Sequence, residues 1–165
     1  MAASENAGRL TVGFVLVGII QIVGGGLGLY FVARAFFGET SPEPVADVIY
    51  AVAAVLFLIS LLAGIQLLRV RKSGVYWSFL IQFLQLIQIQ TQAIAYKFVS
   101  GAYLVAGITA RDSDTEFSFN FEVLASSLLF YAPAPEGSHS GVEVYLNILA
   151  LVIFIWLFRA RHRVR

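Results

Sequence analysis

The chain has 165 residues, of which 59% are hydrophobic and 13% charged, with a mean hydropathy of +0.82. Soluble domains carry charge on roughly a quarter of their residues, so this composition predicts an integral membrane protein. The net charge of +1 hides a strong asymmetry along the chain, and the absence of cysteine excludes disulfides, thiolate metal sites and thiol redox chemistry.

A membrane span needs roughly 20 apolar residues, and four such stretches, at about 10–37, 45–68, 75–98 and 142–158, nearly fill the chain. The expected fold is an all-α integral membrane protein. It is a single domain over 1–165, a four-transmembrane-helix bundle with a small extracytoplasmic β-hairpin between the third and fourth helices, inside the segment 99–141.

In the first span, Gly24 and Gly28 have the small-xxx-small spacing that lets another helix approach closely. Ordinary helix packing is favoured there over a helix loosened at Gly24, Gly25 and Gly26 whose backbone lines a cavity. Ala33, Arg34 and Ala35 resemble a signal-peptidase site. The apolar stretch is too long for a cleaved signal and its leader carries both Glu5 and Arg9, so the span is read as retained. The second span follows Ser41, Pro42, Glu43 and Pro44, where proline suits the start of a helix. Ser60 and Gly64 form a second small-residue pair.

The third span carries five glutamines, Gln82, Gln85, Gln88, Gln90 and Gln92. At 100° per residue, Gln82, Gln85, Gln88 and Gln92 share a stripe about 120° wide, and Gln90 falls off it. A bare amide in hydrocarbon costs several kcal/mol, so the stripe should face protein or water. Gln21 in the first span and Asn147 in the fourth are the expected partners within one chain.

Between the third and fourth spans, Phe117, Ser118, Phe119, Asn120, Phe121, Glu122 and Val123 alternate apolar and polar with period two. With the polar turn at Arg111, Asp112, Ser113 and Asp114, they predict a hairpin. A third strand through 127–131 is a further expectation, before Pro133 and Pro135 break the pattern. The Phe117, Phe119 and Phe121 face needs a cover: the bundle's own end, headgroups or a partner protein.

Of the eleven basic residues, Arg9, Arg69, Arg71, Lys72, Arg159, Arg161, Arg163 and Arg165 fall on one side of the four spans. Nine of the ten acids fall on the other. The positive-inside rule then places both termini in the cytoplasm of a multi-pass protein, read as one of a bacterial inner membrane. In topology it resembles tetraspanins and claudin-like proteins, whose defining extracellular cysteines it lacks. In its short basic loop and brief tails it resembles small bacterial inner-membrane proteins. No residue role is carried over from either resemblance.

No catalytic constellation emerges. His139 and His162 lie outside the spans, no acid lies at mid-membrane, and the loosely spaced Glu136, His139 and Glu143 make a poor metal site. The function read from the sequence is that of a non-catalytic scaffold or accessory subunit, using helix packing and the external hairpin. It contacts the lipid bilayer and self-associates or meets a membrane-protein partner, with no nucleic acid, cofactor or metal. The alternative is an oligomeric channel or carrier for a neutral polar solute, lined by the third-span glutamines.

Overall fold

The computed structural model describes residues 2–38, 44–91, 95–111, 114–131 and 141–161. An apolar sequence without proline runs as one helix, α1 (Ala2–Gly38), and Pro44 opens the second, α2 (Pro44–Leu68). Within them, Val12–Gly38 and Asp47–Leu68 are long and apolar enough to cross a membrane. The glycines of α1 set its distance from α2. A Cβ at Gly18 would meet the Gly64 carbonyl oxygen at 3.0 Å, one at Gly25 the Leu61 nitrogen at 2.7 Å, and one at Gly28 the Phe57 ring. The helix is continuous through Gly24, Gly25 and Gly26, so there is no unwound cavity wall here, and Gly24 and Gly25 serve close packing.

The all-α four-helix bundle is not what forms. α3 (Lys72–Leu84) and α4 (Ile148–Ala160) have 13 residues each. At 1.5 Å per residue each is about 20 Å long, short of a hydrocarbon core of about 30 Å. The rest of the predicted third and fourth spans is strand. β1 (Ile87–Gln90), β2 (Ala95–Arg111), β3 (Asp114–Tyr131) and β4 (Gly141–Asn147) form an antiparallel sheet in the order β1-β4-β2-β3.

The physical reason is local patterning. Ile87, Gln88, Ile89 and Gln90 alternate with period two, as do Val142, Glu143, Val144, Tyr145 and Leu146, and the branched residues among them favour extended backbone. α3 tightens as it ends: the Gln85 N–H reaches both the Ile81 and Gln82 carbonyls at 3.2 Å. The next carbonyl, that of Leu86, already accepts from the Asn147 N–H at 2.8 Å. Asn147 then starts α4, its side-chain oxygen accepting from the Ala150 N–H at 3.1 Å. Each short helix is thus welded to a strand at the same point.

The predicted hairpin is present and far larger than expected. β2 pairs with β3 from Ala95↔Tyr131 to Arg111↔Asp114, so residues 127–131 continue β3 and do not make a third strand. The register shifts between Gly101 and Ala102, where Gly101 adopts φ +108°. This bulge bends β2. Its start pairs with β1 (Ile89↔Tyr96) and its second half with β4 (Val105↔Asn147 to Arg111↔Gly141), while β1 and β4 pair with each other. Three strands therefore close on themselves as a cup, with β3 along the outer edge of β2.

The sheet joins the helices at the bulge. Gly24 of α1 lies against the backbone of Ser100 and Gly101, and the Ser126 hydroxyl donates to the Gly24 carbonyl at 2.7 Å. Phe98 packs on Phe57, Ala53 and Ile81. At the other end of the helices, Phe14, Leu67, Val75, Leu157 and Ala160 form a second core that draws together the ends of α2 and α4 with the start of α3. Arg69, Arg71, Lys72, Arg159 and Arg161 are all exposed at that end.

Candidate functional site

In an antiparallel sheet, directly paired residues lie on one face, and the registers here sort the side chains sharply. Inside the cup, Gln88 and Gln90 pair with Tyr145 and Glu143. Across β2 the same face carries Tyr103 opposite Glu122, Val105 opposite Asn120, and Gly107 opposite both Ser118 and Tyr145. The opposite face carries Ile87 with Leu146, Ile89 with Val144, Ile108 with Val144 and Phe117, Ala106 with Phe119, and Leu104 with Phe121. Polar residues point in and apolar residues point out. Phe117, Phe119 and Phe121 are 75%, 77% and 62% exposed, and Ile87, Ile108, Val144 and Leu146 are exposed as well. This reverses the usual arrangement of a soluble barrel.

The inner face borders a half-open cavity of about 430 Å³, within the range of small-molecule sites. Its wall is held by a network of tyrosines. The Tyr103 hydroxyl donates to a Glu122 carboxylate oxygen at 2.8 Å and accepts from the Asn120 amide at 3.2 Å. The Tyr145 hydroxyl donates to Glu143 at 3.2 Å and lies 3.5 Å from the Thr109 hydroxyl. The Lys97 ammonium sits 5.1 Å from the centre of the Tyr103 ring, a cation–π distance. Two polar atoms on this wall have no hydrogen-bond partner among the described residues: Gln88 Nε2 and Ser118 Oγ. Gln88 is only 4% exposed.

The predicted polar stripe divides at the end of α3. Gln82 lies on α3 and Gln85 caps its C-terminal end, both buried, whereas Gln88 is on β1 and lines the cavity. Gln90, the exception by helical arithmetic, shares the inner face with Gln88 because the chain there is a strand. Gln92 lies outside the described residues. Among the described residues, the amides bond to groups other than one another, unlike the pairing the sequence suggested. Gln21 Oε1 accepts from the Ser78 hydroxyl at 2.7 Å, and Gln85 Oε1 from the Ser100 N–H at 3.3 Å. Asn147 Oδ1 accepts from the Leu104 and Ala150 N–H groups. The amide nitrogens of Gln21, Gln85 and Asn147 are buried without a partner among the described residues.

The predicted packing residues meet different neighbours. Gly28 and Gly64 serve the contact of α1 with α2, and Gly24 the contact of α1 with the sheet. Ser60 joins both, its hydroxyl reaching the Gln21 carbonyl at 3.4 Å and the Ser100 hydroxyl at 2.9 Å. Glu143, weighed above as a metal ligand, lines the cup, and Glu136 and His139 lie outside the described residues. Among the described residues no cluster of three potential metal ligands occurs. Lys97, Tyr103, Ser118, Asn120 and Tyr145 were missed as site residues. The signal that could have found them is the period-two alternation of 87–90 and 142–146 beside that of 117–123. Compared with known proteins, the chain matches no family model, no curated protein and no solved structure.

Proposed function

We propose that this chain is an integral membrane protein that binds a small polar molecule in the cup of its sheet, at the boundary between lipid and water. The observation that carries this reading is the inverted sheet: a cavity of about 430 Å³ reached by polar and tyrosine side chains inside, and large exposed apolar side chains outside. In water such an outer face is an aggregation hazard; against acyl chains it is at home. It continues the exposed apolar surface of α1 and α2, where Val15, Leu16, Ile19, Val52, Val55 and Leu58 also point outward. In this reading α1 and α2 cross the bilayer, while α3 and α4 enter from the basic end and stop at half depth. The strands then fill the opposite half. Because the outer edge of β3 needs water for its backbone groups, the distal hairpin lies among headgroups. The positive-inside rule puts the basic end, and both termini, in the cytoplasm.

A binding or accessory role is favoured over catalysis because the carboxylates of the cup are engaged by tyrosine hydroxyls. The burial of Gln82 and Gln85, with Gln85 tied to Ser100, supports packing there and not a conduit through the protein. Native mass spectrometry of gently solubilised protein tests the binding role. The wild type should carry a small-molecule adduct that Ser118→Phe, which fills the cup, lacks while unfolding at the same temperature. Identical spectra for the two proteins would refute it.

A further inference from the structure

Two buried side-chain atoms on the cavity wall have no partner among the described residues, and both can donate. Glu143 already accepts from Tyr145, and Glu122, beside the cavity, from Tyr103. The two atoms are the Gln88 Nε2 amide, on a side chain more than nine-tenths buried, and the Ser118 hydroxyl, both without a partner among the described residues. Lys97 adds a positive charge on the same wall. Leaving a buried N–H unsatisfied costs free energy, so these groups are placed for an acceptor that enters from outside. Extending the β1–β2 register by one residue from Ile89↔Tyr96 sets Gln88 beside Lys97, with Tyr145 on its other flank. An amide, an ammonium and a hydroxyl converging on one cavity fit an oxyanion, since charge-assisted hydrogen bonds to such a group are the strong ones. The cavity is several times the size of an inorganic anion and is flanked by Tyr103 and Tyr145. The oxyanion is therefore one part of a larger polar molecule.

Resting on the binding role proposed above, we infer that the cup recognises a phosphate-bearing polar group, with Lys97, Gln88 Nε2 and Ser118 Oγ holding the phosphate oxygens. The same chemistry occurs in a lipid headgroup and in a water-soluble phosphate ester. Solubilised protein is titrated by calorimetry with glycerol 3-phosphate, with short-chain diacyl phosphatidate, and with glycerol and short-chain diacylglycerol as phosphate-free counterparts. Binding of both phosphates, and of neither counterpart, is the expected result. Binding of phosphatidate alone supports the inference with a lipid as the source; binding of glycerol 3-phosphate alone supports it with a soluble ester.

In each supporting case Lys97→Gln should weaken binding about tenfold or more, and Ser118→Ala several-fold. Gln88→Glu, which keeps the shape and replaces the donor by a carboxylate, should abolish binding. Lys97 is only half-buried, so its variant remains informative if Gln88→Glu fails to fold. Equal binding of phosphates and counterparts, no binding of either phosphate, or unchanged affinity in Lys97→Gln would overturn the inference. An adduct seen by native mass spectrometry alongside such a result would leave the binding role standing and the phosphate assignment refuted.

Discussion

The contact most sensitive to a single methyl group is that of Gly24 with the bulge of β2. A Cβ added at Gly24 would fall inside contact distance of the Gly101 nitrogen, the Gly101 Cα and the Ser100 carbonyl carbon. All three are backbone atoms, so no rotamer change relieves the clash, and α1 must separate from the strand. Overpacking of this kind costs about 1–3 kcal/mol. Separation also weakens the hydrogen bond from Ser126 to the Gly24 carbonyl, about 0.5–1.5 kcal/mol more. Gly26, two residues away, is the control: a Cβ there meets nothing closer than a Leu61 methyl at 3.9 Å. The gain in helix propensity on replacing glycine by alanine is common to both sites and cancels in the comparison. Gly24→Ala should therefore be less stable than Gly26→Ala by roughly 2–4 kcal/mol. Equilibrium unfolding in mixed micelles against rising dodecyl sulfate measures the difference. Equal midpoints for the two variants would refute the placement of α1 on the sheet.

Asn147→Ala removes the cap of α4 and strands the Leu104 N–H, so a loss of about 2–4 kcal/mol is expected by the same unfolding assay. A double-mutant cycle of Ser78→Ala with Gln21→Leu should give a coupling energy of about 0.6–1.5 kcal/mol; a value near zero would contradict the hydrogen bond between them. Val70, in the turn between α2 and α3, has φ +50°, which a β-branched residue adopts only under strain. Val70→Asn should raise stability by about 1 kcal/mol, and a loss on thermal unfolding would argue against that turn.

The long helices were legible because hydropathy and length suffice for them: the predicted spans at 10–37 and 45–68 overlap Val12–Gly38 and Asp47–Leu68. Hydropathy failed for the third and fourth spans because it counts apolar residues without asking how they are spaced. Ile87 and Ile89 raise the score of a helix and of a strand equally, and only their alternation with Gln88 and Gln90 distinguishes the two. The same test, applied to 117–123, found the hairpin. Its true extent was hidden because Tyr96, Phe98, Ser126 and Leu128, on the same two strands, meet helices, which blurs the polar alternation. A helical angle carried through Gln85 into a strand gave the wrong neighbours for Gln88 and Gln90. The cup itself depends on pairings between β1, β4 and β2, far apart in sequence, and on a bend at Gly101 that one glycine in an apolar run does not announce.

The central claim is that the sheet turns its apolar face to lipid and its polar face to water, and the absence of native cysteine allows a direct test. Single cysteines are placed on the outer wall, Ile87→Cys and Val144→Cys, and in the cup, Gln90→Cys and Asn120→Cys. Each variant is reconstituted in liposomes and exposed to a membrane-impermeant maleimide. Side-chain exposure in the protein alone is substantial at Ile87 and Val144, at 51% and 45%, so a sheet bathed in water would label there at least as readily as in the cup. The account predicts labelling at Gln90→Cys and Asn120→Cys, and none at Ile87→Cys or Val144→Cys until detergent is added. Rapid labelling of the outer wall in intact liposomes would contradict it.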